Sequence, residues 1–238
     1  MQAASSQPRR ALLHATFSPE RLGSPTTVGF ALSIDPPPAG PLPPVSSVQV
    51  RYPANLGLLT SGLGLETCQP TTLETQGPKA CPPDALMGAG SAVVEVAFGP
   101  EIVTENVALE IYAAPSDDGY IHLAILAHGG EPVLANLVLP GVIEPGQLDI
   151  TVPAIDSLPG APSAALVTMH AQLGGQLTYY EQRHGRTIAY HPRGIGLPDS
   201  CPRGGFRLAV TVNFTDRQST RAGARVPCPT SRPARRQR

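Results

Sequence analysis

The chain has 238 residues, a formal net charge of −1 and 41% hydrophobic residues, which is enough apolar material for the core of one large domain. Its 28 prolines and 24 glycines lack the three-residue period of collagen, so they indicate many short elements joined by turns. The sequence has no run of ~18 apolar residues that would span a membrane. Residues 1–17 also lack the apolar stretch that is typical of a signal peptide.

Basic residues are concentrated at the two ends of the chain. Arg9 and Arg10 lie near the start, and the final segment contains Arg232, Arg235, Arg236 and Arg238. The middle is therefore net acidic, which argues against a nucleic-acid-binding domain, because such a domain carries its positive charge on a folded face. We predict a disordered segment over 1–10, one domain over 11–229 and a disordered basic tail over 230–238. Weak contact of this tail with an anionic surface is an alternative.

Short segments with alternating hydrophobicity predict strands along most of the chain. They cover residues 26–34, 48–53, 92–98, 107–113, 120–128, 133–140, 148–153 and 165–173. The proline-rich stretch 35–45 predicts an extended connection, and the leucine- and glycine-rich stretch 55–68 is ambiguous. With about ten to twelve strands, no convincing helix and no internal repeat, the sequence predicts a single all-β domain, either an antiparallel β-sandwich or a jelly roll.

The stretch 177–192 predicts a β-hairpin. His184 and Gly185 resemble the two-residue turns in which glycine accepts a positive φ. The resulting cross-strand pairs are Tyr179 with Tyr190, Glu181 with Ile188, and Thr178 with His191.

A second hairpin is expected to bring two cysteines together. Hydrophobic residues alternate over 206–214, and a short turn leads to a return strand over 220–226. Because positions equidistant from a hairpin turn face each other, Cys201 and Cys228 become near neighbours. The glycine pair at 204–205 gives the chain the freedom to absorb the remaining offset. A disulfide here would clamp the open end of the hairpin.

The other two cysteines, Cys68 and Cys81, then pair with each other. Their loop contains proline and glycine and has no strand pattern, and closing it contributes ~3 kcal/mol in the chain-entropy model. Four free buried thiols are one alternative. A zinc site is another, although the chain has no closely spaced CxxC pair. Two disulfides imply an oxidising compartment, and therefore export.

Several stretches resemble segments of a group of secreted proteins from high-GC actinobacteria. They are "FSPERLGSPTTVGF", "YPANLGLLTSGLGLETC", "GPEIVTEN", "LTYYE…HGRTIAYHPRGIGLP" and "CPRGGFRLAVTVNF…VPCP". The resemblance extends over nearly the whole domain. It implies export and a single-domain organisation, and it implies nothing about chemistry.

The sequence contains no motif of a known enzyme class. "TSGLG" lacks the G-x-S-x-G spacing of a nucleophile elbow. "MGAGSAVVEV", at residues 87–96, is expected to be a turn entering a strand, whereas a phosphate-binding loop leads into a helix. The six histidines form neither H-x-H nor H-E-x-x-H. We therefore expect no metal and no cofactor, and the sequence gives no positive indication of catalysis.

The densest polar group predicts a small-ligand site near the first hairpin. Its members are Tyr180, Glu181, His191 and Arg193. Our interpretation is a secreted or cell-envelope β-sandwich module with a binding or structural role. One alternative is a secreted hydrolase in which Glu181 and His191 face each other in a cleft. Another is a carrier of a small apolar ligand, which requires a sizeable cavity.

Overall fold

The structure, a computed structural model, is built almost entirely from antiparallel strands. It describes residues 9–36, 42–58, 66–98, 101–130, 136–153, 164–174, 179–190 and 195–229. The strands are β1 (Ala11–Ser18), β2 (Pro25–Ile34), β3 (Val45–Arg51), β4 (Gly57–Leu58), β5 (Leu86–Phe98), β6 (Glu101–Ala114), β7 (Ile121–Gly129), β8 (Asn136–Glu144), β9 (Gln147–Thr151), β10 (Ala164–Gly174), β11 (Tyr179–Arg183), β12 (Arg186–Tyr190), β13 (Ile195–Gly196), β14 (Phe206–Phe214) and β15 (Ser219–Val226). The helical elements are α1 (Pro70–Gln76) and two 3₁₀ turns, Pro78–Ala80 and Pro83–Ala85. No described helix has the length and apolarity for a transmembrane passage.

Eleven of these strands form one sheet that curls until its two ends meet. Their order is β15-β14-β3-β9-β8-β7-β6-β5-β10-β2-β1, and each hydrogen-bonded pair is antiparallel. At the meeting point β1 lies beside β15. The short strands β13 and β4 extend the sheet beyond β2, and β11 and β12 form a separate hairpin. The prediction of an all-β, antiparallel fold is confirmed. The layers that face each other across the core are opposite walls of one nearly closed, barrel-like sheet.

The core fills the inside of the curled sheet. Alternate residues of each strand point inward, so side chains from opposite walls meet. Phe17 on β1 packs edge-to-face against Phe206 on β14, with ring centroids 5.2 Å apart. A second cluster, which includes Leu32, Val48 and Val212, continues the core. Both clusters draw residues from strands far apart in sequence, so the core forms only when the sheet has curled.

The structure contains three local features that the sequence pattern did not predict. Strand β1 was missed because its outward Leu12, which is 69% exposed, stands next to an inward leucine and masks the alternation. Helix α1 lies in the loop between Cys68 and Cys81, for which the sequence showed no strand pattern and no convincing helix; it has only seven residues and no side-chain cap. The glycine-containing stretch 87–96 lies within β5, and the expected turn is not there.

Helix α1 and the disulfide between Cys68 and Cys81 cover the outer face of β6 and β7. Leu73 of α1 is fully buried, in a cluster with outward residues such as Tyr112 and Leu126. The Cα atoms of Cys68 and Cys81 are 5.2 Å apart, and the backbone N–H of Cys68 donates to the carbonyl of a β6 residue. The predicted pairing is confirmed, and the bridge holds a short helix that would be marginal by itself.

The terminal hairpin also forms as predicted. Phe206 pairs with Val226, and the Cα atoms of Cys201 and Cys228 are 5.8 Å apart in the second disulfide. The offset between the cysteines is absorbed at the glycine pair 204–205, whose φ angles are 84° and 88°. Only glycine adopts such angles at little cost. This disulfide therefore clamps the end of β15, the strand that β1 must meet.

Arg9 links β1 to β15, although the sequence analysis assigned this residue to a disordered N-terminal segment. Its guanidinium contacts the Asp216 carboxylate at 2.6 Å and lies over the Phe214 ring, 4.6 Å from the centroid. Its carbonyl accepts a hydrogen bond from the Thr220 hydroxyl at 2.7 Å. We call these contacts of Arg9 with Phe214, Asp216 and Thr220 the seam. Residues 1–8 and 230–238 lie outside the described residues.

The two disulfides should stabilise different parts of the protein. Replacing either pair by alanine is expected to lower the free energy of unfolding by about 2–4 kcal/mol. Only Cys201→Ala/Cys228→Ala should also accelerate amide hydrogen exchange in β15, because that bridge clamps the end of this strand. Equal acceleration in β15 by Cys68→Ala/Cys81→Ala would contradict this division. Urea unfolding and hydrogen-exchange mass spectrometry measure the two effects.

Stability should depend on the seam in a pH-dependent way. The hydrogen bond from Arg9 lowers the pKa of Asp216. The folded pKa then lies below the unfolded value of about 3.9, so the contribution is present above that pH and is lost as pH falls through the folded pKa. Arg9→Gln should cost about 1 kcal/mol at pH 7, from the ion pair and the aromatic contact together.

The pH profile provides the check on this effect. The difference in unfolding free energy between the wild type and Arg9→Gln should stay constant from pH 7 to 5 and shrink below about pH 4. The neighbouring Arg10→Gln is the control, because Arg10 is exposed. A difference that does not change with pH, or an equal effect of Arg10→Gln, would contradict the assignment.

Candidate functional site

A groove of about 560 Å³ opens on the outer face of the sheet, across β1, β2, β10 and β5. We call it the histidine groove. One transverse row of its lining consists of His14, Ala31, His170 and Ser91, each the cross-strand partner of the next. The neighbouring row consists of Thr16, Gly29, Gln172 and Ala89. The volume is within the range of about 300–1,000 Å³ that is usual for small-ligand pockets.

The floor of the histidine groove is low because small residues occupy its middle. Ala31 separates His14 from His170, and since adjacent strands are about 4.8 Å apart, the two histidine backbones lie about 10 Å apart. Both histidines are exposed. A molecule lying on Ala31 would therefore have an imidazole on each side.

Close approach of β5 to β10 shapes the groove at one side. A Cβ atom added to Gly90 would collide with the carbonyl oxygen of His170, and one added to Gly88 would collide with the carbonyl oxygen of Gln172. Both obstacles are backbone atoms, which cannot rotate away. These glycines let the two strands come together and bring Ser91 towards His170.

The lining can make several kinds of hydrogen bond. The hydroxyls of Thr16 and Ser91 donate and accept, the Gln172 amide does both, and each neutral imidazole has one donor and one acceptor nitrogen. Among the described residues, no carboxylate or guanidinium lines the groove. This inventory suits a small, polar, uncharged molecule better than an ion or a hydrocarbon.

The inside of the sheet offers little space. A cavity of about 50 Å³ is lined by apolar side chains that include Val28, Tyr52 and Leu208. The Tyr52 hydroxyl donates to the Glu144 carbonyl at 2.7 Å, and burial raises the pKa of this tyrosine. The cavity is far smaller than the pockets that hold drug-sized ligands. Phe30 lines both the cavity and the histidine groove.

Only part of the predicted polar group near the first hairpin can be placed. The hairpin register is confirmed, with Tyr179 opposite Tyr190. Tyr180 is 66% exposed on β11. Glu181 lies on the same strand, but its side chain is outside the described part of the structure, and His191 and Arg193 lie outside the described residues. The ligand site predicted from Tyr180, Glu181, His191 and Arg193 stays a prediction.

Other polar groups on the outer face are occupied by one another. The backbone N–H of Tyr120 and the side chains of His122 and Ser116 donate to Asp118 and lower its pKa to about 2. Burial and a 2.5 Å hydrogen bond to Glu110 raise the pKa of Tyr112. These groups stabilise turns and strands and are not poised for a ligand.

Across the residues that the structure describes, no three His, Cys, Asp or Glu side chains converge as a metal site requires. No family model, no curated protein and no solved structure matches the chain. The resemblance to secreted actinobacterial proteins therefore stays a prediction as well.

Sequence reasoning missed the histidine groove. His14 and His170 belong to strands that pair only through β2, so no local spacing connects them. A weak signal existed in the small residues of "VGFALS" and "MGAGSA", since glycine and alanine in a strand mark places where another group can approach closely.

Gly90→Ala should be costly because the added methyl group meets the His170 carbonyl. We expect a loss of about 1–3 kcal/mol in unfolding free energy, as for other overpacked sites. Gly223→Ala on β15 is the matched control, since its added Cβ would lie 3.7 Å from the Leu208 carbonyl oxygen, an ordinary contact. Thermal unfolding of both variants measures the difference, and equal melting temperatures would show that β5 and β10 do not approach so closely.

Proposed function

We propose that this protein is a secreted binding module, closed by two disulfides, that takes a small, polar, uncharged ligand in the histidine groove. The observation that carries the proposal is the groove itself, about 560 Å³ with hydrogen-bonding side chains on both sides of a low floor. Export is supported by the two disulfides, since such bonds persist in oxidising compartments.

The rigidity of the groove favours binding. Its floor and both of its histidines lie on strands of a continuous ladder, so the polar groups are held in place before a ligand arrives. Preorganised groups lose less entropy on binding. The nearly closed sheet thus acts as a scaffold, and specificity comes from the side chains of two transverse rows.

The carrier alternative has less support in the described structure. An apolar ligand the size of a lipid needs several hundred Å³, and the internal cavity is about 50 Å³. The hydrolase alternative depends on Glu181 and His191, and it stays a hypothesis about that hairpin.

Ligand binding can be mapped by NMR. Titration of ¹⁵N-labelled protein with a set of neutral sugars and sugar alcohols should shift amide resonances of β1, β2 and β10. Ala31→Phe, which fills the floor, and His14→Ala/His170→Ala, which removes both walls, should each weaken binding at least tenfold. His128→Ala is the control because this exposed histidine does not line the groove.

Two results would contradict the proposal. One is the absence of shifts in β1, β2 and β10 with every probe at millimolar concentration. The other is an equal loss of affinity in His128→Ala. Shifts confined to β11 and β12 would instead favour the first hairpin as the binding site.

A further inference from the structure

A second outer surface, distinct from the histidine groove, carries an unusual concentration of positive charge. It consists of Arg51 on β3, Arg207 on β14, and Arg221 and Arg225 on β15, and we call it the arginine face. All four residues are exposed. Arg207 and Arg225 are direct cross-strand partners. Like charges in that position repel each other, so the pair costs stability.

The four arginines surround a low floor. Ala209 and Gly223 are cross-strand partners at the centre of the face, and Arg51 is the partner of Ala209 on its other side. Arg207 lies two residues from Ala209, and Arg225 lies two residues from Gly223, both towards the open end of the hairpin. Arg221 lies two residues from Gly223 in the opposite direction. Two residues of strand span about 7 Å, so guanidinium groups from both directions can reach an anion on the floor.

Among the described residues, no ion pair involves the arginine face, and the nearby Asp149 on β9 accepts a hydrogen bond from Gln49, its cross-strand partner. The ion pairs among the described residues are Arg9 with Asp216 and His122 with Asp118, and neither involves the face. Two of its guanidinium groups donate hydrogen bonds through Nε, Arg51 to Gln49 at 3.2 Å and Arg225 to the Gly204 carbonyl. These bonds orient the guanidinium groups without cancelling their charge.

Further arginines follow β15 in the sequence. The described chain ends at Pro229, shortly after Arg225, and the sequence continues with Arg232, Arg235, Arg236 and Arg238. Since the net charge of the chain is −1, the remainder of the molecule is acidic. A long anionic partner would therefore be attracted to this side of the molecule and repelled by the rest.

We propose that the arginine face binds a linear phosphate-bearing polymer. Guanidinium groups match the tetrahedral oxygens of phosphate and bind them through paired hydrogen bonds. The outward positions of β3, β14 and β15 hold no aromatic side chain on which a nucleic-acid base would stack. They also hold no large apolar side chain that would enter a bilayer. An extended polyphosphate-like chain lying along the floor needs neither an aromatic nor a large apolar side chain for its binding.

The test uses the full chain and linear polyphosphate, with affinity measured at several salt concentrations. Arg207→Gln/Arg225→Gln should weaken binding at least tenfold, and it should reduce the slope of log affinity against log salt by about 1.4, at about 0.7 per phosphate contact. Arg21→Gln/Arg186→Gln removes the same charge from two exposed arginines elsewhere and should change the affinity less than twofold. Because Arg207→Gln/Arg225→Gln relieves a repulsion, it should fold with an equal or higher melting temperature.

Three other anionic probes distinguish a phosphate polymer from other classes of partner. Heparin, single-stranded DNA and phosphatidylglycerol vesicles should bind more weakly than polyphosphate of matched charge. Tighter binding by any of them would overturn the assignment, as would an equal loss in Arg21→Gln/Arg186→Gln. The proposal would also fail if replacing the four tail arginines by glutamine abolished binding while Arg207→Gln/Arg225→Gln kept it.

Discussion

The contact between β1 and β15 is the constraint on which the rest of the structure depends. A curled sheet leaves two open edges unless its first and last strands meet, and open edges expose unpaired backbone groups. Here Arg9 joins the edges through Asp216 and the Phe214 ring. Both core clusters contain residues from several walls of the sheet. Loss of the seam would therefore weaken the closure of the sheet beside β1, which stays paired with β2 and carries His14 of the histidine groove.

The two disulfides secure a short helix and the open end of the terminal hairpin. One fixes a seven-residue helix to the outside of β6 and β7, and the other closes the end of the hairpin that carries the seam. In the folded state each disulfide fixes only the residues around it. In the unfolded state each disulfide restricts the conformations of the whole chain, which stabilises the fold. A chain with many prolines and glycines and a single short α-helix in its described part gains more from such bonds than a helical bundle would.

Structural features that depend on residues close together in the sequence could be predicted. Features that depend on residues far apart in the sequence were missed. The register of the first hairpin followed from its turn position, and the pairing of Cys201 with Cys228 followed from the terminal hairpin between them. The alternation that identifies a strand failed at β1, where outward Leu12 interrupts it. The row from His14 to His170 depends on the pairing of both strands with β2, and no local pattern contains that information.

Among the described residues, the outer face of the sheet offers more room for a ligand than the inside does. Large side chains from opposite walls leave an internal cavity of about 50 Å³, so widening it would require cutting into the core that holds the ring of strands together. The outer face carries no such restriction, since outward residues can change without disturbing the packing. Two outer surfaces contain residues that are unfavourable in a β-sheet. Strand β5 carries glycines in its interior, and β14 and β15 place arginines opposite each other. Each departure lowers the stability of the sheet, and each lies at a surface for which we propose a ligand, a neutral polar molecule in the first case and an anionic chain in the second.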